Sequence, residues 1–308
     1  MSKKNKGEPT GFIRKFDTTK KKNGGGLSDT DAAIYAELEK EIRNGIVFPA
    51  VRKGELHFYY GGGCLYNWKG NKLKRDEKYD KNPDYQPKNA KDLKSYPYKL
   101  AKEQNKIRFA DEERQLLDRL TCHTFVKNRK TDVVVLDIEV CLNGKKNGRK
   151  KCDMVLLNTK TDEIMFVEGK FYSNKEVFCK KGMPSVGKQV ICYKEAINEQ
   201  RPRIIEQYQR HIDIINELFD THFSREITIL DNPGLLVYLT PDPENRTKNE
   251  RASMETLNKH LSGKKELGET ETRNTAWFNV GEEPPEDELE RPTIDNVWAA
   301  LTEKIDEN

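Results

Sequence analysis

The sequence predicts a mixed fold, α/β (α+β mixed), whose core runs helix, three strands, helix, strand. Three observations carry this expectation. Between residues 131 and 172, three apolar β-prone runs are separated by turn-forming stretches. Behind them, apolar residues recur at helical spacing through residue 219. A continuous apolar run, "GLLVYLT" at 234–240, then reads as a buried strand. Strands and helices in this order make sheet-and-helix layers rather than a bundle or a sandwich.

In chain order, residues 1–28 form a flexible basic segment: Lys20, Lys21 and Lys22 precede Gly24, Gly25 and Gly26, with nothing to bury. Order is expected to begin after them. Ser28, Asp29 and Asp31 offer N-caps for a helix to about residue 43, with Ile34, Leu38 and Ile42 on one stripe and Gly45 ending it. The runs "IVFPAV", "ELHFYY" and "CLYNW" between 46 and 68 predict a small antiparallel sheet, and 69–98, which lacks periodicity, a long loop. Eight of the twelve tyrosines fall between Tyr35 and Tyr98, so 29–107 reads as a basic, Tyr-rich α+β accessory region. Basic residues interleaved with aromatics suit single-strand stacking, although aromatics in a small sheet are more often core.

The core is placed at 108–245. It comprises a helix over 110–121, strands over 131–142, 151–158 and 163–172, helices over 186–200 and 202–219, and the strand at 234–240. Pro202 is read as the first residue of its helix, where a missing N–H costs nothing. Residues 246–308 form a helical and acidic extension, closed by an amphipathic helix over 294–305 with Val297, Trp298 and Leu301 inward.

The 308 residues are 35% hydrophobic and 34% charged, with a net charge of +4. That sum hides an asymmetry. Residues 1–110 carry 25 basic and 14 acidic side chains, and the remainder is net negative. A basic front attracts polyanions by releasing their counterions, but lysine-rich surfaces also simply keep proteins soluble. The six cysteines form no C-x-x-C pair and suit reduced thiols. With no apolar stretch near the roughly 20 residues that span a bilayer, secretion and membrane insertion are not expected, and a cytoplasmic location is.

The chemistry concentrates in "CDMVLLNTKTDEIMFVEGK", a hairpin whose natural turn lies at Lys160 and Thr161. Folding it there sets Asp153 directly across from Glu168, and strand alternation points Lys170 to the same face. Two adjacent carboxylates repel unless a cation or a shared proton intervenes, and a hard divalent ion, Mg²⁺ or Mn²⁺, is the natural solution. If the preceding hairpin is centred on Lys146, Glu139 falls opposite Asp153 with Asp137 on the same face, whereas a one-residue slip would turn Glu139 away. Glu113 shares a stripe with Phe109, Leu116 and Leu120. It would either orient a metal site or serve the helix N-terminus through its dipole. Gln189 and Tyr193, four apart, share a helix face and could hydrogen-bond a phosphate, a base or the lysine.

Asp153, then Glu168-Gly169-Lys170 on the next strand, then Gln189-x-x-x-Tyr193 on a helix resemble the PD-(D/E)xK nuclease superfamily. The branch resembled is the RecB-like, QxxxY one, which contains many phage-defence and repair proteins. The likeness covers about residues 108–242. It departs at Cys152, where the motif has proline, and at Gly169, the middle residue of the triplet. The resemblance implies a restriction-endonuclease-like core and Mg²⁺-dependent hydrolysis of nucleic acid, DNA more than RNA. It further implies that Asp153 and Glu168 bind metal with the Gly169 carbonyl, that Lys170 attends the attacking water, and that Gln189 and Tyr193 position the phosphate or the lysine. Glu139 and Glu113 would be supporting ligands. A helicase or ATPase partner subunit would supply any unwinding. The alternative is a non-cleaving nucleic-acid-binding or scaffold subunit that retains the fold.

Overall fold

The structure is a computed structural model that describes residues 13–19, 26–60, 63–75, 124–127, 129–144, 148–171, 174–179, 181–239, 248–261, 271–272, 275–279 and 294–305. Helix α1, Asp29–Arg43, starts where the Ser28 hydroxyl accepts the Asp31 N–H at 3.2 Å, and it buries Ile34, Tyr35, Leu38 and Ile42. Its apolar stripe covers an antiparallel sheet of β1 (Phe48–Val51), β2 (Glu55–Tyr60), β3 (Gly63–Lys69) and β4 (Lys72–Arg75), in that order. Tyr35 meets Trp68 edge-on with ring centroids 4.7 Å apart. The stretch expected as a loop from residue 69 therefore begins with a turn and a fourth strand, because Leu73 pairs with Trp68 and buries on the same face. Residues 76–123, including the expected helix at 110–121 and Glu113, lie outside the described residues.

The larger sheet contains β5 (Val133–Gly144), β6 (Gly148–Asn158), β7 (Glu163–Phe171), β8 (Thr228–Ile229), β9 (Gly234–Leu239) and β11 (Thr275–Asn279). Its order is β11-β9-β7-β6-β5, with β8 beside the start of β7. β5, β6 and β7 are antiparallel, whereas β7, β9 and β11 are parallel. The chain is thus a mixed α and β protein.

One helix, α2 (Ser185–Phe219), replaces the two expected over 186–200 and 202–219, and Pro202 lies inside it. An interior proline removes a backbone hydrogen bond and costs about 3 kcal/mol or more. Burial on both sides of it, at Val190, Tyr193 and Ile197 and then at Ile204, Tyr208, Ile212 and Ile215, holds the helix continuous.

Two further helices complete the body: α3 (Lys248–Leu261) and α4 (Ile294–Thr302). The final helix stops at Thr302 rather than 305, and β12 (Lys304–Ile305) pairs with β10 (Glu271–Thr272). Asp295 of α4 accepts the N–H groups of Asp132 and Val133 at 3.1 and 2.8 Å, fastening the helix to the start of β5. Gly234 makes that docking possible, since a Cβ there would lie 2.8 Å from Leu301 and 3.0 Å from Met165. Among the described residues, no helix is long and apolar enough to cross a membrane.

The accessory region and the larger sheet share one hydrophobic cluster, which extends from Phe16 and Trp68 through Phe125 to Phe219. Order therefore begins before residue 28: Arg14 is 3% exposed and Phe16 8%. Phe16 packs edge-on against Trp68 at 5.3 Å, a long-range contact that a glycine-rich local sequence does not announce.

Candidate active site

The β6 and β7 hairpin folds in the expected register. Its pairs run from Asn158↔Glu163 at the turn to Met154↔Val167, where the ladder ends. Continuing that register sets Asp153 against Glu168. Beyond the ladder, the Gly169 N–H donates to Asp153 Oδ2 at 2.9 Å, so a carboxylate takes the place of a main-chain acceptor as the strands part. Cys152 fills the same region, its thiol donating to the Val167 carbonyl at 3.2 Å. Burial first, then the charges of Glu168 and Asp153, push that thiol well above its usual range, which keeps it protonated.

Glu168 is 1% exposed, and each of its carboxylate oxygens has a protein donor. Lys170 Nζ lies 2.6 Å from Oε1, the Gln189 amide donates to Oε1 at 2.8 Å, and the Tyr193 hydroxyl donates to Oε2 at 2.8 Å. Gln189 also donates to the Tyr193 oxygen at 2.5 Å, and that hydroxyl lies 2.5 Å from the Lys151 carbonyl. The helical i, i+4 spacing of Gln189 and Tyr193 thus serves one carboxylate from two directions. Burial, chiefly, drives the Tyr193 phenol far above its normal pKa, so it remains a donor at any working pH.

Glu176, which the sequence reading missed, is the second acid at Lys170, with Oε2 3.7 Å from Nζ. It stands in the segment between β7 and α2, and its carbonyl accepts the Val186 N–H at 3.1 Å, tying it to the start of α2. No spacing rule links a loop acid to a strand lysine, so nothing in the sequence pointed to it.

Glu139 lies elsewhere in chemical terms. The β5 and β6 register does centre on residue 146, from Gly144↔Gly148 to Ile138↔Met154, so its backbone faces Asp153. However, Glu139 has a φ of 51°, and its carboxylate pairs with Lys151 at 2.5 Å rather than with the Glu168 group.

Asp137, read as sharing a face with Glu139, is instead the centre of a buried charge cluster. Arg14 binds Oδ2 through Nε at 2.8 Å and through Nη2, while Arg52 Nη1 and the Ile138 N–H bind Oδ1, each at 2.8 Å. A bulge between Val135 and Asp137 accompanies this departure. The two arginines hold the Asp137 carboxyl far below the usual carboxylate range against the opposing effect of burial.

Among the described residues, no group of three or more His, Cys, Asp and Glu side chains is arranged to hold a metal ion. Asp153, Glu168 and the Gly169 carbonyl nevertheless offer an all-oxygen donor set of the kind Mg²⁺ takes, since that ion uses one or two carboxylates and completes its shell with water and phosphate. A cation there would compete with Lys170, Gln189 and Tyr193 for Glu168, and with the Gly169 N–H for Asp153. No protein-family model, curated protein or solved structure matches this chain.

Proposed function

We propose that this chain is a metal-dependent nuclease that hydrolyses phosphodiester bonds, with DNA as the favoured substrate and phage defence or repair as the setting. The observation that carries the reading is the meeting of Asp153, on the Gly169 N–H, with Glu168, which is bound by Lys170, Gln189 and Tyr193. Asp153, Glu168 and the Gly169 carbonyl would hold Mg²⁺ or Mn²⁺. Such an ion lowers the pKa of bound water and neutralises phosphate charge.

The remaining work falls to this chain's own groups. Lys170, almost buried, supplies a fixed ammonium that can hold the attacking water and balance charge growing on the phosphate. Tyr193 and Gln189 fix the Glu168 carboxylate, and through it the lysine, from a helix whose packing locks their rotamers.

The test is a panel of single-stranded, double-stranded and structured DNA and RNA, incubated with Mg²⁺ or Mn²⁺ and with EDTA. Cleavage is expected with metal alone and is lost in Asp153→Ala and Lys170→Ala. Unchanged cleavage in Asp153→Ala sinks the assignment.

The competing reading is a non-cleaving nucleic-acid-binding or scaffold subunit. One observation favours it: Glu168 and Lys170 already form a buried ion pair 2.6 Å long, with protein donors on both carboxylate oxygens. Nucleic-acid affinity without turnover in the parent protein would decide for it. Co-purification with a nucleotide-hydrolysing subunit would test the helicase or ATPase partner.

A further inference from the structure

The two faces of the small sheet differ in charge as well as burial. Leu56, Phe58, Tyr66, Trp68 and Leu73 make the face under α1. The opposite face is buried toward β1, where Ala50 is buried and Phe48 packs on Phe125 at 5.7 Å, and at Tyr59 of β2. At β3 and β4 it opens to solvent. There the pairs Lys69↔Lys72 and Asn67↔Lys74 set three exposed lysines on one surface, their backbone positions about 5 Å apart across strands and about 7 Å along them. Among the described residues, the acid paired with this surface is Glu55, which binds Lys69 at 2.6 Å and His57 at 3.0 Å.

Helix α1, on the far side, carries Asp29, Asp31, Glu37, Glu39 and Glu41 against Lys40 and Arg43. The module is therefore polar from face to face. Lysines on an edge strand by themselves only guard against strand addition. Segregation of sign between the helix and the open sheet is an additional property, and it favours a polyanion on the basic side.

We infer that the open face of β3 and β4, with His57 at its inner margin, is a docking surface for single-stranded DNA. This deepens the nuclease reading and rests on it for its purpose. β3 and β4 belong to a four-stranded sheet backed by α1, which is too broad for a duplex groove that admits a helix or a free two-stranded ribbon. A single strand instead lies on such a sheet, with phosphates on cations and bases on rings. His57 supplies a ring, stacked on Tyr59 with centroids 6.3 Å apart and planes at 30°.

From His57 a line of contacts runs to the larger sheet: its ring lies on Tyr59, and Arg52 sits over the Tyr59 ring at 5.8 Å. Arg52, at the end of β1, donates to the Ile138 carbonyl at 2.7 Å. The next residue, Glu139 of β5, stands opposite Asp153 of β6, and its charge adds to burial in raising the Tyr59 phenol.

The test measures anisotropy of a labelled single-stranded DNA of about 20 nucleotides, longer than the roughly 4–16 that small binding sheets cover, in EDTA and over a range of salt. Lys69→Glu/Lys72→Glu/Lys74→Glu is expected to weaken binding about tenfold or more and to lower the log–log salt slope by about 2, at roughly 0.7 per lost phosphate contact. Lys72→Gln/Lys74→Gln, which leaves the ion pair with Glu55 in place, should show a smaller loss in the same direction and reads the surface if the triple variant does not fold. Glu37→Gln on the acidic side should bind as the parent does. Parental affinity and salt slope in the lysine variants, or a duplex of the same sequence bound more tightly through the same lysines, overturns the inference. The same titrations on Asp153→Ala separate the two ideas. Lysine-dependent binding without turnover in the parent removes the nuclease and leaves the docking surface, whereas cleavage with lysine-independent binding does the reverse.

Discussion

Two buried carboxylates on one sheet, Asp137 of β5 and Glu168 of β7, are met by the same helix and end in different company. Asp137 is 0% exposed and is held by two guanidinium groups, with the Tyr208 hydroxyl 3.4 Å away and Arg14 lying over the Tyr208 ring. Cations exceed acids there, and the arginines come from residues 14 and 52, outside the larger sheet. Glu168 pairs with the Lys170 ammonium, which Glu176 also approaches, and Asp153 binds the Gly169 N–H between them. The first cluster is closed and joins regions of the chain, whereas the second gathers acids from three segments around Lys170, with Glu176 among them partly exposed. That difference is why the proposed metal site is placed at the second cluster and not at the first.

The largest effect is expected from breaking the clamp. Asp137→Ala leaves Arg14 and Arg52 without their acid, and removing one partner of a buried pair costs about 3–5 kcal/mol. Urea unfolding should register the loss, and Asp137→Ala with parental stability would mean that the arginines find other partners. Lys170→Ala should act in the other direction. Turnover falls at least about 100-fold, as when one charge-stabilising group is removed, while the midpoint of unfolding moves less than in Asp137→Ala.

Tyr193→Phe keeps the ring and removes the hydroxyl shared by Glu168 and the Lys151 carbonyl. A cost of about 1–3 kcal/mol is expected from an acceptor left buried. A thermal melt unchanged from the parent would show that solvent replaces the phenol.

His211, fully buried beside the clamp, gives it a pH signature. Burial, chiefly, pushes its imidazole down to about 4, against the pull of Asp137. Between an unfolded value of about 6.5 and that folded value, the unfolded chain binds more protons. Its contribution is therefore fully present above about 6.5 and is lost as pH falls toward 4. His211→Gln should flatten the stability profile in that window, and an unchanged slope would assign the titration elsewhere. Asp137, with its carboxyl depressed, contributes above the ordinary carboxylate range and loses that contribution only as pH falls through its folded value. The smallest effect belongs to Glu176→Gln. Its 3.7 Å contact and 44% exposed side chain predict a stability change within about 0.5 kcal/mol. A shift in the pH dependence of cleavage would show that it bears on Lys170.

Much of this was legible locally. The turn at Lys160 and Thr161 and the loop centred on Lys146 set both hairpin registers, because strand pairing on a two-residue period leaves few ways to bury the apolar runs. The E-x-K and Q-x-x-x-Y spacings put Lys170, Gln189 and Tyr193 on Glu168 for the same reason: residues on one face of a strand or helix meet one partner. The continuous helix through Pro202 was not legible, since the cost of the proline is local and the burial that outweighs it is not.

By itself, then, the sequence determined the two hairpins of β5, β6 and β7, their register and the side chains that share a face, because periodicity and turn chemistry act over a few residues. Only the tertiary structure decided the fate of each acid. Arg14 and Arg52, 123 and 85 residues away, claimed Asp137, Lys151 claimed Glu139, and a loop brought Glu176 to Lys170. Charge pairing depends on distance in space, which chain folding sets and sequence separation does not.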